Sequence, residues 1–232
     1  MLPKINIIIV TYNAAATLQK CLDSIYSQRY PAIDIIIIDG LSTDRTVRLL
    51  KDNNAHIAYW KSEKDRGIYD AMNKALDHIT GEWVYFLGAD DELFPEFSAM
   101  AYELKDSSNI YYGSVLSNGK KQSGELSPYY MAKGGIYHQT IIYPRAVFEK
   151  YSFNTKYKIV ADNVLNMQCY GDGAFKFVYK DYIIAYFNHR GVSGTNVDYV
   201  FEKDKSKLIL RYFGIKIWTR YLFRLLKAGL KK

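Results

Sequence analysis

The sequence predicts an α/β fold: a mostly parallel sheet flanked by helices, followed by an amphipathic helical tail. Three observations predict it. Short apolar runs alternate with helical stripes through the first half of the chain. Those runs are apolar at nearly every position, as strands covered on both faces of a parallel sheet must be. The 232 residues, 49% hydrophobic and 24% charged, suit a single α/β domain with a buried core.

The elements follow in order. Ile5–Val10 reads as a strand buried on both faces, and Ala15, Leu18, Cys21, Leu22, Ile25 and Tyr26 then recur at helical spacing. Ile33–Ile38 is a second buried strand, a helical pattern runs from about Thr43 to Lys51, and Ile57–Trp60 is a short third strand. Ile68, Ala71, Met72, Ala75, Leu76 and Ile79 form a helical stripe that Gly81 ends, and Trp83–Leu87 is the fourth strand. This alternation implies parallel strands joined by right-handed crossovers. The second half is less regular. It offers strands at Ile110–Val115, Tyr137–Tyr143 and Phe175–Tyr186, a turn over Asn118-Gly119-Lys120-Lys121, and a helix from near Ala161. With no internal repeat and no linker rich in Pro, Gly or Ser, the simplest division is a domain over 1–200 and a basic helical tail over 201–232.

Charge is unevenly placed. Residues 201–232 hold 10 Lys+Arg and 2 Asp+Glu, a net of +8; subtraction from 31 and 24 leaves 21 basic and 22 acidic residues before them, a net of −1. A neutral globular part argues against nucleic acid as a partner. Cys21 and Cys169 are the only cysteines; Cys21 lies on an apolar helical stripe, and both are expected as reduced core residues of a reducing compartment. No Cys/His cluster has zinc spacing, no N-terminal targeting signal is apparent, and no run reaches the roughly 20 apolar residues of a membrane-spanning helix.

The most informative segment is GEWVYFLGADDELFP, residues 81–95. A buried strand leads through Gly88-Ala89 to Asp90 and Asp91, and carboxyl ends of strands are where open α/β sheets place their ligands. Paired carboxylates suit Mg²⁺ or Mn²⁺ on a diphosphate. Since side chains alternate along a strand, the expectation is Asp91 on the metal and Asp90 aimed elsewhere, toward ribose. The competing reading makes Asp91 only the cap of the next helix. Asp39 and Asp65 also fall at strand ends. Singly, Asp39-Gly40 reads as a turn, and Ser42, Thr43, Asp44 and Asp65 as caps. Caps explain poorly why acids follow three successive strands at one sheet edge. The first strand-to-helix turn, Val10-Thr11-Tyr12-Asn13-Ala14, has no glycine, so neither a dinucleotide fingerprint nor a P-loop is present.

TYN at 11–13, IIIDGLSTDRT at 36–46, DRGIYDAMNKAL at 65–76, GADD at 88–91, HQ at 138–139 and ADN at 161–163 together resemble the family 2 glycosyltransferases over about residues 1–195. The resemblance implies the GT-A fold, a Rossmann-like nucleotide-binding sheet. It implies inverting transfer of a sugar from a nucleotide-diphosphate donor, by preference a UDP-sugar, to a hydroxyl of a saccharide or lipid-linked acceptor in cell-surface polysaccharide synthesis. Carried onto matching positions, it gives Thr11, Tyr12 and Asn13 to the nucleotide pocket, Asp39 to the base, Asp65 to the nucleotide border and Asp90/Asp91 to the acidic metal motif. Asp162 falls at the catalytic base, and His138 and Gln139 in the sugar or acceptor pocket. DGLSTD stands where DDGSTD is commoner, shifting the glycine by one position. His189, in NHRGVSGT, is either a metal or diphosphate contact or a plain loop histidine; Arg190 is a candidate phosphate contact, and Ser193/Gly194 a mobile lid.

In the tail, Lys216, Arg220, Arg224, Lys227 and Lys231 share one helical stripe about 80° wide, while Ile215, Trp218, Tyr221, Leu222, Leu225 and Leu226 cover most of the remaining circumference. The expectation is a helix lying in a membrane interface through residues 214–232, on the inner face of the cell membrane of a cytoplasmic protein; the alternative is a helix docked on the domain or a partner subunit. A nucleotidyltransferase and a non-catalytic nucleotide-sugar-binding module are the competing functions. The first would need a glycine-rich basic loop that TYNAAAT lacks; the second could dispense with Asp91 and Asp162.

Overall fold

Strand β1 (Ile5–Thr11) sits between β2 (Ile33–Asp39) and β4 (Trp83–Gly88), parallel to both, and the pairing places Thr11 beside Asp39 and Val10 beside Gly88. Its side chains alternate between two cores. Ile5, Ile7 and Ile9 face one that includes Leu18, Cys21, Leu22, Leu50 and Phe97; Ile8 faces the other with Tyr69, Met72, Val164 and Leu165. Two covered faces explain why these strands are continuously apolar. The computed structural model describes residues 2–188 and 197–229.

Helix α1 (Leu18–Tyr26) and α2 (Thr46–Asp52) supply the first core, and α3 (Ile68–Leu76) the second. The third strand, β3 (Tyr59–Ser62), begins two residues later than the apolar run Ile57–Trp60 suggested, because Asn54–His56 forms a single 3₁₀ turn ahead of it. After β4 come a two-residue strand β5 (Glu92–Leu93) and α4 (Glu96–Ala101). Strands β6 (Asn109–Ser117) and β7 (Lys120–Ser123) form a hairpin whose two-residue turn, Asn118-Gly119, has φ of 50° and 69°. That is the positive-φ pair Asn-Gly favours. Helix α5 (Pro128–Gly134) follows, capped by Ser127. The strand expected over Tyr137–Tyr143 is split into a 3₁₀ turn at His138–Thr140 and β8 (Ile141–Pro144). Then come α6 (Ala146–Lys150), α7 (Ala161–Gly171), β9 (Lys176–Tyr186) and α8 (Tyr199–Gly229).

The sheet runs β3-β2-β1-β4-β8-β6-β9-β5, with β7 pairing the C-terminal half of β6. The first four strands are parallel; β8 pairs antiparallel with β4 and β6, β9 lies parallel to β6, and β5 is antiparallel to β9. This β5–β9 pairing brings the end of β9 back to the segment following Asp91. The two cysteines are free and buried.

The C-terminal helix is not detached from the domain. It breaks at Gly214, where φ is 76°. Trp218 Nε1 donates to Ser206 Oγ across the bend at 3.0 Å, although a separation of twelve positions would span about 18 Å in a straight helix. The inner arm packs on α7: Tyr170 and Phe213 stack at 4.3 Å, and a Cβ on Gly171 would meet Tyr212 at 2.9 Å. In the outer arm Tyr221 is only 9% exposed, and Ile217, Trp218 and Leu222 pack on the same core. The wide apolar arc read from the sequence therefore divides. About half is docked on the domain, while Ile215, Phe223, Leu225 and Leu226 remain exposed. No helix among the described residues is long and apolar enough to cross a membrane.

This division gives a stability test. Tyr221→Ala is expected to destabilise the protein by about 3 kcal/mol, the low end for a large aromatic core truncation. Phe223→Ala, at a side chain 68% exposed, should change stability by less than about 0.5 kcal/mol. Urea denaturation followed by circular dichroism measures both.

Candidate active site

The parallel register aligns the carboxyl ends of β1, β2 and β4, and a cleft of about 580 Å³ opens above them. Its walls include Thr11, Tyr12, Asn13, Asp65, Asp90 and Asp91, with His138 and Gln139 on the far side and Ile68, Ala71 and Met72 of α3 lining it too. A second hollow of about 370 Å³ holds Asp162 and Asn163. His138, Gln139 and Phe187 line both hollows, so the two chambers meet at these residues.

The TYN loop is held by the loop after β2. Asn13, at φ 52°, accepts at Oδ1 from Thr43 N (2.9 Å) and donates its backbone N–H to Ser42 Oγ (2.7 Å); Ala14 N donates to Thr46 Oγ1. Asn13 is thus a clamp between loops, while Tyr12, 67% exposed, offers its ring at the cleft. Asp39 lies elsewhere than expected. It is fully buried, is not on the cleft wall, and its carboxylate accepts from Thr11 Oγ1 (2.8 Å), Ser42 N (2.9 Å), Ser42 Oγ (2.5 Å) and Ser62 Oγ (2.6 Å). In this arrangement its oxygens tie three strand ends together, and a bond to a base would require a hydroxyl to move aside.

Asp65 accepts from Gly67 N at 2.8 Å, and its other oxygen lies over Gly40, where any Cβ would collide with it. This accounts for the shifted glycine of DGLSTD: residue 40 must lack a side chain to admit Asp65. Leu41 then takes φ 61°, a conformation that costs an L-residue about 1–2 kcal/mol.

Asp90 does not aim away from Asp91 as strand alternation suggested: the chain turns here, and both carboxylates fold back over Gly88, where a Cβ would meet Asp91 Oδ2 and Asp90 Oδ1. Asp91 caps no helix: α4 starts at Glu96 behind Pro95, whereas Asp91 Oδ2 accepts from Gln139 Nε2 (2.7 Å) and Oδ1 from Asn188 N (2.9 Å). Asp91 is 1% exposed, and Asp90 stands nearer the cleft surface. Burial pushes both carboxyls above the usual aspartate range; for Asp91 the bonds from Asn188 and Gln139 oppose that rise. No lysine or arginine among the described residues pairs with either carboxylate. Two hard oxygen donors lacking a cationic partner fit a divalent cation whose remaining ligands come from a diphosphate and water. No cluster of three or more His, Cys, Asp or Glu side chains with metal-binding geometry occurs among the described residues. His189, Arg190, Ser193 and Gly194 lie outside the described residues.

Asp162, in the first turn of α7, is 8% exposed. Tyr69 Oη stands 2.7 Å from Asp162 Oδ1 and 2.8 Å from the Ile159 carbonyl, and His138 Nδ1 lies 3.6 Å from Oδ2. Burial, then the Asp162 charge, holds the Tyr69 phenol well above its ordinary pKa, so it stays a donor. Gly135, at φ 74°, admits the Asn163 side chain, whose buried Oδ1 has no donor among the described residues. Sequence reasoning missed Tyr69 and Asn188. Tyr69 lies at the edge of the apolar stripe of its helix and reads as core, and a backbone N–H such as that of Asn188 carries no residue signal.

The family model for glycosyl transferase family 2 matches residues 6–183, a span containing every site element above except Phe187 and Asn188. The chain belongs to glycosyl transferase family 2. It is a glycosyltransferase, which sets aside the nucleotidyltransferase alternative. A PGL/p-HBAD biosynthesis glycosyltransferase of Mycobacterium tuberculosis (strain ATCC 25177 / H37Ra) is 34% identical over 214 residues, covering 87% of this chain and 83% of the relative. Among solved structures, TarS 1-349 of S. aureus in complex with UDP-GlcNAc aligns with a TM-score of 0.70 at 17% identity, over 90% of this chain and 67% of that one. The mannosyltransferase PcManGT of Pyrobaculum calidifontis, in complex with GDP-Man and Mn²⁺, gives 0.64 at 19% identity, over 92% and 64%. These structures share the GT-A fold.

The burial of Asp39 yields a test. Asp39→Asn would set amide N–H groups against the Ser42 N–H donor and the surrounding hydroxyls, and should cost about 2–3 kcal/mol. Thermal denaturation of the ligand-free protein measures it; a loss confined to nucleotide binding would instead favour a direct contact to the base.

Proposed function

We propose that the protein is a metal-assisted, inverting glycosyltransferase. It moves a sugar from a UDP-sugar to a hydroxyl of a saccharide or lipid-linked acceptor, in the assembly of a cell-surface glycoconjugate. The observation that carries this reading is the meeting of the two chambers at His138, Gln139 and Phe187: paired carboxylates stand in one and a single buried carboxylate in the other. The relatives' UDP-GlcNAc and GDP-Man complexes support a nucleotide-sugar donor.

In the donor chamber the exposed Tyr12 ring offers a face for a base, and Asp65 borders the nucleotide. Asp90 and Asp91 would together hold Mn²⁺ or Mg²⁺, which supplies charge against the diphosphate as it leaves. Gln139 and Asn188 fix the Asp91 carboxylate for that purpose.

In the second chamber the acceptor hydroxyl gives its proton to Asp162 while its oxygen bonds the anomeric carbon. The bond from that carbon to the diphosphate oxygen breaks in the same displacement, so configuration inverts and no covalent enzyme intermediate forms. Tyr69 is a positioning residue for this step. With Asp162 ionised, its hydroxyl donates to Oδ1; with Asp162 protonated, it can donate to the Ile159 carbonyl and accept from the carboxyl. The basic, partly apolar outer arm of α8 supports peripheral work at a membrane face, which would suit a lipid-linked acceptor.

Two tests follow from these assignments. Asp162→Asn should abolish transfer while leaving the affinity for UDP unchanged within about twofold. Tyr69→Phe should lower kcat on the order of tenfold at an unchanged KM for the donor, since Asp162 loses the hydroxyl that orients it. An unchanged kcat would reduce Tyr69 to packing.

A third test concerns the metal. Because the folded pKa values of Asp90 and Asp91 exceed their unfolded ones, their ionisation opposes folding at neutral pH, and this penalty fades as pH falls through the folded values. A bound cation offsets it. With UDP present, Mn²⁺ at a hundredfold excess over its Kd should add about 2.7 kcal/mol, or about 5–10 °C in Tm for a domain of this size. The increment should shrink on acidification, starting above the usual carboxylate range, and vanish in Asp91→Asn. A thermal-shift screen of nucleoside diphosphates with and without Mn²⁺ reads all of this and fixes the donor class; a parent protein indifferent to Mn²⁺ would contradict the metal assignment.

A further inference from the structure

We propose that the groove between α5 and the outer arm of α8 binds the phosphate headgroup of an anionic membrane lipid. The inference rests on the membrane-surface reading above and deepens it by naming the structure that makes the contact.

The groove, of about 450 Å³, is lined by Tyr129, Tyr130 and Lys133 of α5 and by Arg220, Phe223, Arg224 and Lys227 of the outer arm. Four of these seven side chains are cationic. Arg220 lies 4.0 Å over the Tyr129 ring and Lys133 5.5 Å over that of Tyr130, so two heads are held in place by aromatic faces. None of the four is paired with a carboxylate among the described residues, whereas Lys4, Lys20, Lys61, Lys150, Lys156 and Lys180 each have an acidic partner. Converging cations with an arginine fork match a phosphate in both charge and geometry.

The outer arm shows why the phosphate belongs to a lipid. At about 100° per residue and measured from Ile215, Leu226 falls near 20° and Phe223 near 80°. Lys216, Lys227, Arg220 and Arg224 follow between about 100° and 180°. The docked residues Trp218 and Tyr221 occupy the opposite side. The outward half of the helix is therefore an exposed apolar strip lying directly beside a basic one. That is the arrangement of an interfacial helix, with apolar side chains at the acyl boundary and cations at the headgroups. A free phosphate would use the cations and leave the apolar strip without purpose.

The position of the groove fits this use. Lys133 also lines a neighbouring hollow of about 220 Å³, and Gly134, Gly135, Val160 and Asn163 belong both to that hollow and to the chamber of Asp162. The hollows thus form a line along α5, whose seven residues span about 10 Å, from the basic groove to the carboxylate. Docking at the groove sets the acceptor side of the enzyme against the bilayer.

The test uses the full chain and sedimentation with vesicles of phosphatidylcholine alone or mixed with phosphatidylglycerol. Binding is expected only to the mixed vesicles. Arg224→Glu/Lys227→Glu should weaken it on the order of tenfold or more. A control of equal charge change at exposed positions elsewhere, Lys51→Glu/Lys105→Glu, should leave it within about twofold. Equal losses in both double variants would mean diffuse attraction and overturn the groove, as would an unaffected groove variant. Release by inorganic phosphate, but not by chloride at the same ionic strength, would assign the groove to a free anion and also overturn the proposal. If the parent protein ignores both vesicles, the membrane reading falls with it. Nucleoside diphosphate binding, measured on the same samples, should be unchanged in the groove variant and reports separately on the transferase reading.

Discussion

β1 lies between two parallel neighbours in a register that pairs Thr11 with Asp39 and Val10 with Gly88, and the cleft follows from that alignment. Parallel strands deliver their carboxyl ends to one edge, and each end must hand the chain to a loop without losing its hydrogen bonds. Asp39 solves this for the edge as a whole. Its buried carboxylate collects Thr11 from β1, Ser62 from β3 and Ser42 from its own loop. The two carboxylates that follow β4 fold back over Gly88, which has no side chain to block them. Charge concentration at the cleft is therefore a result of packing at the strand ends.

Much of this was legible because both faces of the sheet are covered. Ile5–Val10, Ile33–Ile38 and Trp83–Leu87 could be read as strands since nearly every side chain is apolar, and acids at their ends stand out against such runs. The legible part stopped where backbone conformation or long-range pairing decides. The run Tyr137–Tyr143 looks like one strand, yet His138–Thr140 turns to present His138 and Gln139 to the cleft. The two residues of β5 carry no periodicity of their own; they exist as a strand because β9 arrives beside them. The roles of Asp39 and Asn13 were also hidden, because an acid or amide that ties loops together has the same sequence signature as one that waits for a ligand.

The C-terminal helix shows a different limit. Periodicity places Trp218, Tyr221 and Leu222 on one side and the basic residues on another, but it does not say what the apolar side meets. The bend at Gly214 supplies the answer by returning the outer arm toward the inner one, so that Tyr221 completes the core already containing Phe201 and Ile209. A single straight helix would have carried these side chains away from the domain. Gly214 is the one residue of the helix at positive φ, where an L side chain is strained. The position of a single glycine thus decides how much of the helix's apolar surface is used for folding and how much stays outside.

What stays outside is also ordered by the domain. Helix α5 is short, but it carries the rings that seat Arg220 and Lys133, and its last residues open the way to the Asp162 chamber. Gly135, at positive φ, ends that helix and leaves room for Asn163 beside the carboxylate. The same seven-residue helix therefore carries one cation, and the ring that seats a second, at its outer side and shapes the acceptor chamber at its end. A change that moves α5 against α8 would alter both together. The coupling is mechanical: α5 packs on the outer arm, the outer arm on the core, and that core on α7, which bears Asp162.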